Sequence, residues 1–551
     1  MSGSLTKLRI GSRRSDLARL QAQMVASRLG TSSFVYKEAP ADVNLSAPLW
    51  KMPEMGVFTS FLRRYLHSGE IDLIVHSWKD LPVEKDPDTD IVATLPRADP
   101  RDLLLVSKAA LADAYKTGKL VVLSSSPRRK HNLPDFLKKS IPIGPDGERI
   151  REVEFRDVRG NIQTRLMKLC GDELPEDPLT GERFKPTALI VAKAAIDRFL
   201  QAGSESAEFR ATGDLVRSCL DACKWQVLPL SVNPTAAAQG ALAIEMLDGA
   251  GTAEIRREVQ STVICSDTFA CVNQERAILQ SLGGGCHQKI GCTILKRQWG
   301  TITFLRGHTD KSREDMNVVS IEGKKAGMDF KKAESQEASI LIGGKGLQLF
   351  DRETVTGSAL TVKKTLNKSG DSVGLYVSKA DALPATLTVG DVGNRLVWTG
   401  GVQSWYAMAA RGFWVTGSSD SLGESEPVDA YLLTGRDDRK WIKLTHSEGS
   451  YDMEKGANQF IDVIPTYRLK EKVGVNIASA VKGKTHFYFS SGSGFTALVD
   501  NIPALLQKFK TGEFVAGCGP GNTLELLQRK IGSVVVAYNY SDFVKQVSAP
   551  V

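Results

Sequence analysis

Between residues 8 and 198 short apolar runs lead, one after another, into turns of small and basic residues and then into helix-like stretches. Leu8, Arg9 and Ile10 pass into Gly11, Ser12, Arg13, Arg14, Ser15 and Asp16, followed by an amphipathic run from Leu17 to Leu29. Residues 57–67 read as a helix, and the apolar stretch from Ile71 to Val75 ends in HSWKDLP at 76–82. Leu120 to Leu123 runs into SSSPRRK at 124–130, and Val153 to Phe155 into RDVRGNIQTR at 156–165. Ala188 to Ala192 then precedes a helix with Asp197 and Arg198, and Gln239 and Gly240 mark a return of the chain to a sheet. Strand, turn and helix in alternation define an α/β fold, in which ligands gather at the carboxyl ends of strands.

Each segment has a plain reading on its own, a strand and helix with solvated arginines between. Asp80 beside Lys79 is either a structural ion pair or a carboxylate placed to stabilise a cation or move a proton. Taken together, the turns describe a cleft lined with cations. Ser15 or Asp16 caps a helix and sets Arg13 and Ser15 at its positive end. Ser126, Arg128, Arg129, Arg159 and Arg165 occupy equivalent turns, suited to several carboxylates or phosphates.

Residues 250–282 read as helical and deliver Gly283, Gly284, Gly285, Cys286 and His287. Glycine lets such a loop bring a sulfur close to a bound molecule, and His287 is placed to help form the thiolate. The alternative is a surface loop with an incidental cysteine, since most free cysteines are inert. Residues 290–305 read as strands of a small α+β domain.

At 551 residues the chain is too long for one core and implies three to five domains. The formal charge of +8 is spread thinly, and the arginines stand singly, without interleaved aromatics, which argues against nucleic acid. None of the eight cysteines forms a C-x-x-C pair, so no metal is expected and a reducing compartment fits best. The first residues form no apolar signal core and no run is long enough to span a bilayer, so the expected location is cytoplasmic, without a membrane partner. Composition leaves the oligomeric state open.

HSWKDLP, SSSPRR, VRGNIQTR, AAAQGAL and ERAILQSLGGGCH, in this order over about residues 8–330, resemble porphobilinogen deaminase, also called hydroxymethylbilane synthase. The resemblance implies a periplasmic-binding-protein-like pair of α/β domains, 5–104 with 226–246 and 105–225, and a small α+β domain at 247–330 carrying the cofactor cysteine. It implies a dipyrromethane cofactor held covalently by Cys286, with Asp80 and Lys79 catalytic. Arg13, Ser15, Ser126, Arg128 and Arg129 fall with Lys79 and Asp80 on cofactor-binding positions, and Arg13, Arg159, Arg165 and Arg198 on substrate-binding ones. The partners are then porphobilinogen and a linear tetrapyrrole.

Residues 331–372, rich in Lys, Glu, Ser and Gly with one apolar segment from Ile340 to Phe350, read as a linker. A weak repeat follows. Gly374 to Ser378, Leu396 to Ser404 and Gly412 to Val415 are echoed by Phe487 to Gly492, Phe514 to Thr523 and Ile531 to Val536. Each copy is strand, Ser-containing turn, strand, glycine turn, helix and strand, and both turns expose backbone N–H groups at helix starts. Two ordinary βαβ units would give this pattern. It also resembles the two α/β lobes of uroporphyrinogen-III synthase over 373–551, with Ser378, Ser404, Ser490, Ser491 and Asn522 or Thr523 as implied substrate contacts. The expected function is a bifunctional enzyme that polymerises four porphobilinogens into hydroxymethylbilane, releasing ammonia, and cyclises it to uroporphyrinogen III. The alternatives are a deaminase with a structural or regulatory C-terminal module, and a non-catalytic binding protein for acidic ligands.

Overall fold

The computed structural model describes residues 7–31, 33–38, 60–177, 180–283, 289–309, 315–323, 332–333, 336–435, 440–449 and 460–548. The protein is a mixed α/β chain in two compact units, Met1–Ile294 with Phe304–Asn317, and Leu295–Thr303 with Val318–Val551. The first unit holds two five-stranded sheets. Strands β1 (Arg9–Arg13), β2 (Ser33–Lys37), β3 (Leu73–Ser77) and β4 (Thr89–Ala93) belong to one sheet. The chain then crosses to the other with β5 (Asp102–Ser107), β6 (Lys119–Leu123), β7 (Glu152–Arg156), β8 (Ala188–Ala192) and β9 (Cys223–Val227), and returns with β10 (Leu242–Leu247).

The orders are β2-β1-β3-β10-β4 and β7-β6-β8-β5-β9. β1 runs parallel to β2 and β3, and β6 parallel to β7 and β8. β10 and β5 are each antiparallel to both neighbours. The basic turns after β1 and β3, and those after β6 and β7, therefore lie on one edge of their respective sheets. β8 is buried at every residue, as a strand covered on both faces must be.

A buried polar cluster locks β3 to β10 and β4. Glu245, 1% exposed, lies 2.8 Å from His76 Nε2 and accepts from Arg63 Nε at 2.7 Å and Thr89 Oγ1 at 2.5 Å. Burial alone would raise the Glu245 carboxyl, but His76, Thr89 and Arg63 outweigh it and hold it at about 2, below its ordinary 4.5. A carboxyl that titrates lower when folded stabilises fully above its unfolded value and loses that contribution as pH falls towards the folded one. Glu245→Gln is accordingly expected to cost at most about 3 kcal/mol at pH 7. Its deficit in urea midpoint against wild type should shrink as pH falls from 4.5 towards 2. A deficit constant over that range would remove Glu245 as the cause.

Strands β11 (Gly291–Arg297), β12 (Gly300–Gly307) and β13 (Met316–Gly323) form a three-stranded sheet. Residues 250–282, expected to be helical, form two helices, Ala253–Val263 and Ser266–Ser281, after a short 3-10 turn.

The second unit contains β14 (Ser339–Ile342), β15 (Phe350–Thr354), β16 (Gly374–Val377), β17 (Val397–Thr399), β18 (Gly417–Ser418), β19 (Trp441–His446), β20 (Phe460–Glu471), β21 (His486–Phe489), β22 (Val515–Cys518) and β23 (Val535–Val536). They make a six-stranded sheet, β15-β20-β19-β16-β17-β18, and a four-stranded one, β14-β21-β22-β23. The expected repeat is present as β16-β17-β18 and β21-β22-β23, each parallel. The linker expected at 331–372 is corrected. β14 pairs with β21 and β15 with β20, and a helix spans Ser358–Ser369. Both strands are sheet edges, and the exposed Asp351 and Arg352 are the charges that edge strands carry against intermolecular pairing.

Cysteine usage also departs from expectation. Cys170 and Cys219, at the ends of neighbouring helices Ile162–Cys170 and Arg210–Ala222, form a disulfide. Among the described residues no helix is long and apolar enough to cross a membrane.

Candidate active site in the first unit

β3 ends in a 3-10 turn, Trp78–Asp80, and Trp78 is the anchor of that turn. Its side chain is buried, with 1% of the residue exposed, and its ring packs on Phe269 at 5.6 Å, while the Trp78 backbone N–H donates to the Ala241 carbonyl at 3.1 Å. With Trp78 fixed, Lys79 is partly buried and Asp80 projects into solvent. Lys79 Nζ lies 3.5 Å from Gln239 Oε1. Burial pushes the Lys79 ammonium below its ordinary range, Asp80 opposes that, Arg129 adds to it, Asp102 opposes it and Arg165 adds to it again. The turns after β3, β6 and β7 thus act on one ammonium group.

Ser126 caps the short helix Pro127–Asn132, accepting from the Arg129 N–H at 3.5 Å. Arg128 and Arg129 are 4% and 7% exposed, and both close on Asp102, which is fully buried at the start of β5. Arg128 Nη2 donates to Asp102 Oδ2 at 2.9 Å, and its Nη1 to Asn233 Oδ1 at 2.6 Å and the Pro234 carbonyl at 2.8 Å. Arg129 donates to Asp102 through Nε at 2.9 Å and Nη2 at 2.6 Å, and through Nη1 to the Ile190 carbonyl at 2.9 Å. Gln239 Nε2 donates to the same carboxylate at 2.8 Å. The arginine pair is therefore held by protein groups, and it shares Asp102 with the glutamine that meets Lys79.

Asn161 caps the helix Ile162–Cys170 by accepting from the Thr164 N–H at 2.9 Å. Arg165 Nε donates to the Gly160 carbonyl at 2.9 Å, and burial, then Arg129, push its guanidinium down to about 10 against the pull of Asp80. Burial likewise lowers Arg159, with Asp157 opposing, and brings Arg198 down to about 10. Arg198 Nη2 donates to the Gly240 carbonyl at 2.7 Å. Arg13 is the last residue of β1. Ser15 is the N-cap of helix Asp16–Leu29, as expected, but its side chain makes no capping hydrogen bond. Asp16 joins this turn to the other sheet's helices, accepting from Gln163 Nε2 at 2.7 Å and Thr212 Oγ1 at 3.2 Å.

Cys286 and His287 lie outside the described residues. The chain after them is tied to the same cluster: a Cβ on Gly291 would stand 2.0 Å from the Pro234 carbonyl and 3.0 Å from Arg128 Cδ, so only glycine fits there. The Cys292 N–H donates to the Thr235 carbonyl at 2.9 Å.

The motifs gave no site role to Asp102, Asn233 and Gln239, which connect these cations. The available signal was a charged residue opening the apolar run Leu103 to Val106, since a buried charge needs a partner. Arg159 Nη2 and Arg198 Nε are buried with no hydrogen-bond acceptor among the described residues. They and the depressed Lys79 and Arg165 are donors of the kind that carboxylates accept from.

In the second unit Ser378 Oγ donates to the Leu444 carbonyl at 2.9 Å, and Ser404 Oγ accepts from the Ala380 N–H at 3.1 Å. Ser490 is exposed after β21, and Ser491 caps helix Gly492–Asn501, accepting from the Gly494 N–H at 3.3 Å. Asn522 and Thr523 open helix Asn522–Ile531, and Asn522 Nδ2 donates to Glu424 Oε2 at 3.2 Å.

Residues 8–255 match the family model described as porphobilinogen deaminase, dipyromethane cofactor binding domain. The porphobilinogen deaminase of Acidothermus cellulolyticus is 33% identical over 299 residues, 53% of this chain and 76% of that protein. That of Caldicellulosiruptor saccharolyticus is 29% identical over 326 residues, 58% of this chain and 94% of that protein. Among solved structures, Thermus thermophilus uroporphyrinogen III synthase matches 35% of this chain and 84% of its own, at 14% identity and a TM-score of 0.19. With the dipyrromethane-binding domain matched and a 33%-identical deaminase covered over three-quarters of its length, the chain belongs to the porphobilinogen deaminase family.

Proposed function

We propose that the chain makes hydroxymethylbilane from four porphobilinogens in its first unit and closes it to uroporphyrinogen III in its second. The observation that carries the first step is the single electrostatic cluster of Lys79, Asp80, Arg129 and Arg165. Cys286 would hold the dipyrromethane covalently, and a pyrrole tethered in this way would make each addition intramolecular. Arg13, Lys79, Arg159, Arg165 and Arg198 hold carboxylates of cofactor and substrate. Ser15 and Ser126 belong to the same cofactor-binding turns, and Arg128 and Arg129, held on Asp102, stand beneath them as cofactor-binding cations. Asp80 accepts pyrrole N–H groups and stabilises the positive charge left on porphobilinogen as ammonia departs.

This reading assigns 5–104 with 226–246 and 105–225 to a periplasmic-binding-protein-like pair of domains, and 247–330 to the cysteine domain. The return of β10 to the first sheet supports the discontinuous first domain. For the second unit, support comes from placement: Ser378, Ser404, Ser490, Ser491, Asn522 and Thr523 follow the carboxyl ends of β16, β17, β21 and β22, where α/β sheets bind ligands. The two sheets are joined by Asn522 to Glu424 and by Tyr538 OH to the Asp420 carbonyl at 3.2 Å. Ring closure there needs shape and anion binding more than a strong acid or base.

Purified chain incubated with porphobilinogen, followed by oxidation, is expected to yield the type III uroporphyrin isomer. Spontaneous closure of hydroxymethylbilane gives isomer I, so isomer I alone would leave the deaminase standing and overturn the assignment of the second unit.

A further inference from the structure

Cys170 meets the sequence-adjacent pair Cys219 and Cys223 in the lobe built on β5 to β9. Cys170 ends one helix, Cys219 lies in the last turn of another, and Cys223 opens β9. Their sulfur atoms all lie within 4.8 Å of one another, and Cys170 and Cys219 are bonded as a disulfide. Cys223 Sγ stands 3.8 Å from Cys170 Sγ. In a tetrahedral zinc thiolate, bonds of about 2.3 Å place neighbouring sulfurs about 3.8 Å apart. Cys219 and Cys223 are buried while Cys170 is partly exposed, which leaves an approach from solvent on one side.

The geometry points to a redox-gated site for a thiophilic divalent cation of the zinc class, formed by Cys170, Cys219 and Cys223 when the Cys170–Cys219 bridge is reduced. A dithiol reductant opens the bridge by supplying two electrons and two protons, giving two thiols as it becomes a disulfide itself. The cation then binds three sulfurs as the three S–H protons are released. Three thiolates around a divalent ion carry one net negative charge, and a counter-cation is at hand. Lys108 Nζ donates to the Asp221 carbonyl, two residues before Cys223, at 2.6 Å. The bridge and the ion exclude one another, yet either ties the helix carrying Arg165 to its neighbour. The 49-residue separation of Cys170 and Cys219 hides the site from any spacing rule.

The test uses the full-length chain, reduced with a phosphine, desalted without air and titrated with Cd2+. Expected are about one Cd2+ per reduced chain with a thiolate-to-cadmium charge-transfer band, no uptake by the oxidised chain, and binding at least tenfold weaker in Cys223→Ser. Cys286→Ser should bind as wild type does, which separates this site from the deaminase thiol. Alkylation footprinting of the wild-type chain needs no variant: Cd2+ should protect Cys170, Cys219 and Cys223 together. Equal uptake by oxidised chain, unchanged affinity in Cys223→Ser, or protection confined to other cysteines would overturn the site.

Discussion

Asp80→Ala is expected to slow porphobilinogen consumption by about 10²–10⁴-fold, the range for removal of a group that moves a proton or stabilises charge in the transition state. The side chain is exposed at the end of a turn anchored by Trp78 rather than by Asp80 itself, so its removal leaves the core untouched. Substitution also takes from Lys79 and Arg165 the neighbouring negative charge that supports their protonation. Ground-state binding of substrate carboxylates by the cations should survive, so kcat should fall far more than KM rises. Asp80→Glu should recover part of the rate, because charge is restored at a displaced position. Initial rates of ammonia release at saturating porphobilinogen provide the measurement. A kcat within tenfold of wild type would show that the carboxylate does no more than support the charge of Lys79.

Turns that carry chemistry were legible because their composition is constrained locally. HSWKD follows the short apolar run Leu73 to Val75, and SSSPRR and RGNIQTR combine helix caps with cations, so their positions at strand ends could be read from the chain. The partners of those cations were not legible, because pairing is a property of the crossing between sheets. Asp102 meets Arg128 and Arg129 from 26 and 27 residues away, and Asn233 and Gln239 from 131 and 137. In the second unit the repeat was readable at its glycine turns, whereas β15 looked like a linker because this edge strand carries the charges of a surface segment, and β14 because four residues between charged stretches are too short to show a strand period. The three cysteines illustrate the same limit: each is ordinary in sequence, and the helices around them bring the sulfurs together.

Asp102→Ala is expected to destabilise the first unit by about 3–5 kcal/mol, the cost of leaving buried charge without its partner. The carboxylate has no exposed surface and accepts from Arg128, Arg129, Asn233 and Gln239, so both its oxygens are engaged. Burial alone would raise its titration, but Arg129 and then Arg128 outweigh that and hold it well below the usual carboxylate range. A carboxyl lowered by folding stabilises above its unfolded value and loses that contribution as pH falls through the acid range. The deficit of the variant should therefore be largest near neutrality and shrink in acid. Asp102→Asn keeps the volume and loses the charge, so it should fall between alanine and wild type. Asp102→Glu keeps the charge but overfills the site, and should also be destabilised. Because the chain has two compact units, urea unfolding should be followed by hydrogen exchange of peptides from β5, β8 and the helix Pro127–Asn132, rather than by one global signal. Protection in those peptides unchanged in Asp102→Ala would mean that the arginine pair is held by Asn233, Pro234 and Ile190 alone. Loss of protection there, with the second unit unaffected, would identify one carboxylate as the support for both arginines and for the glutamine that meets Lys79.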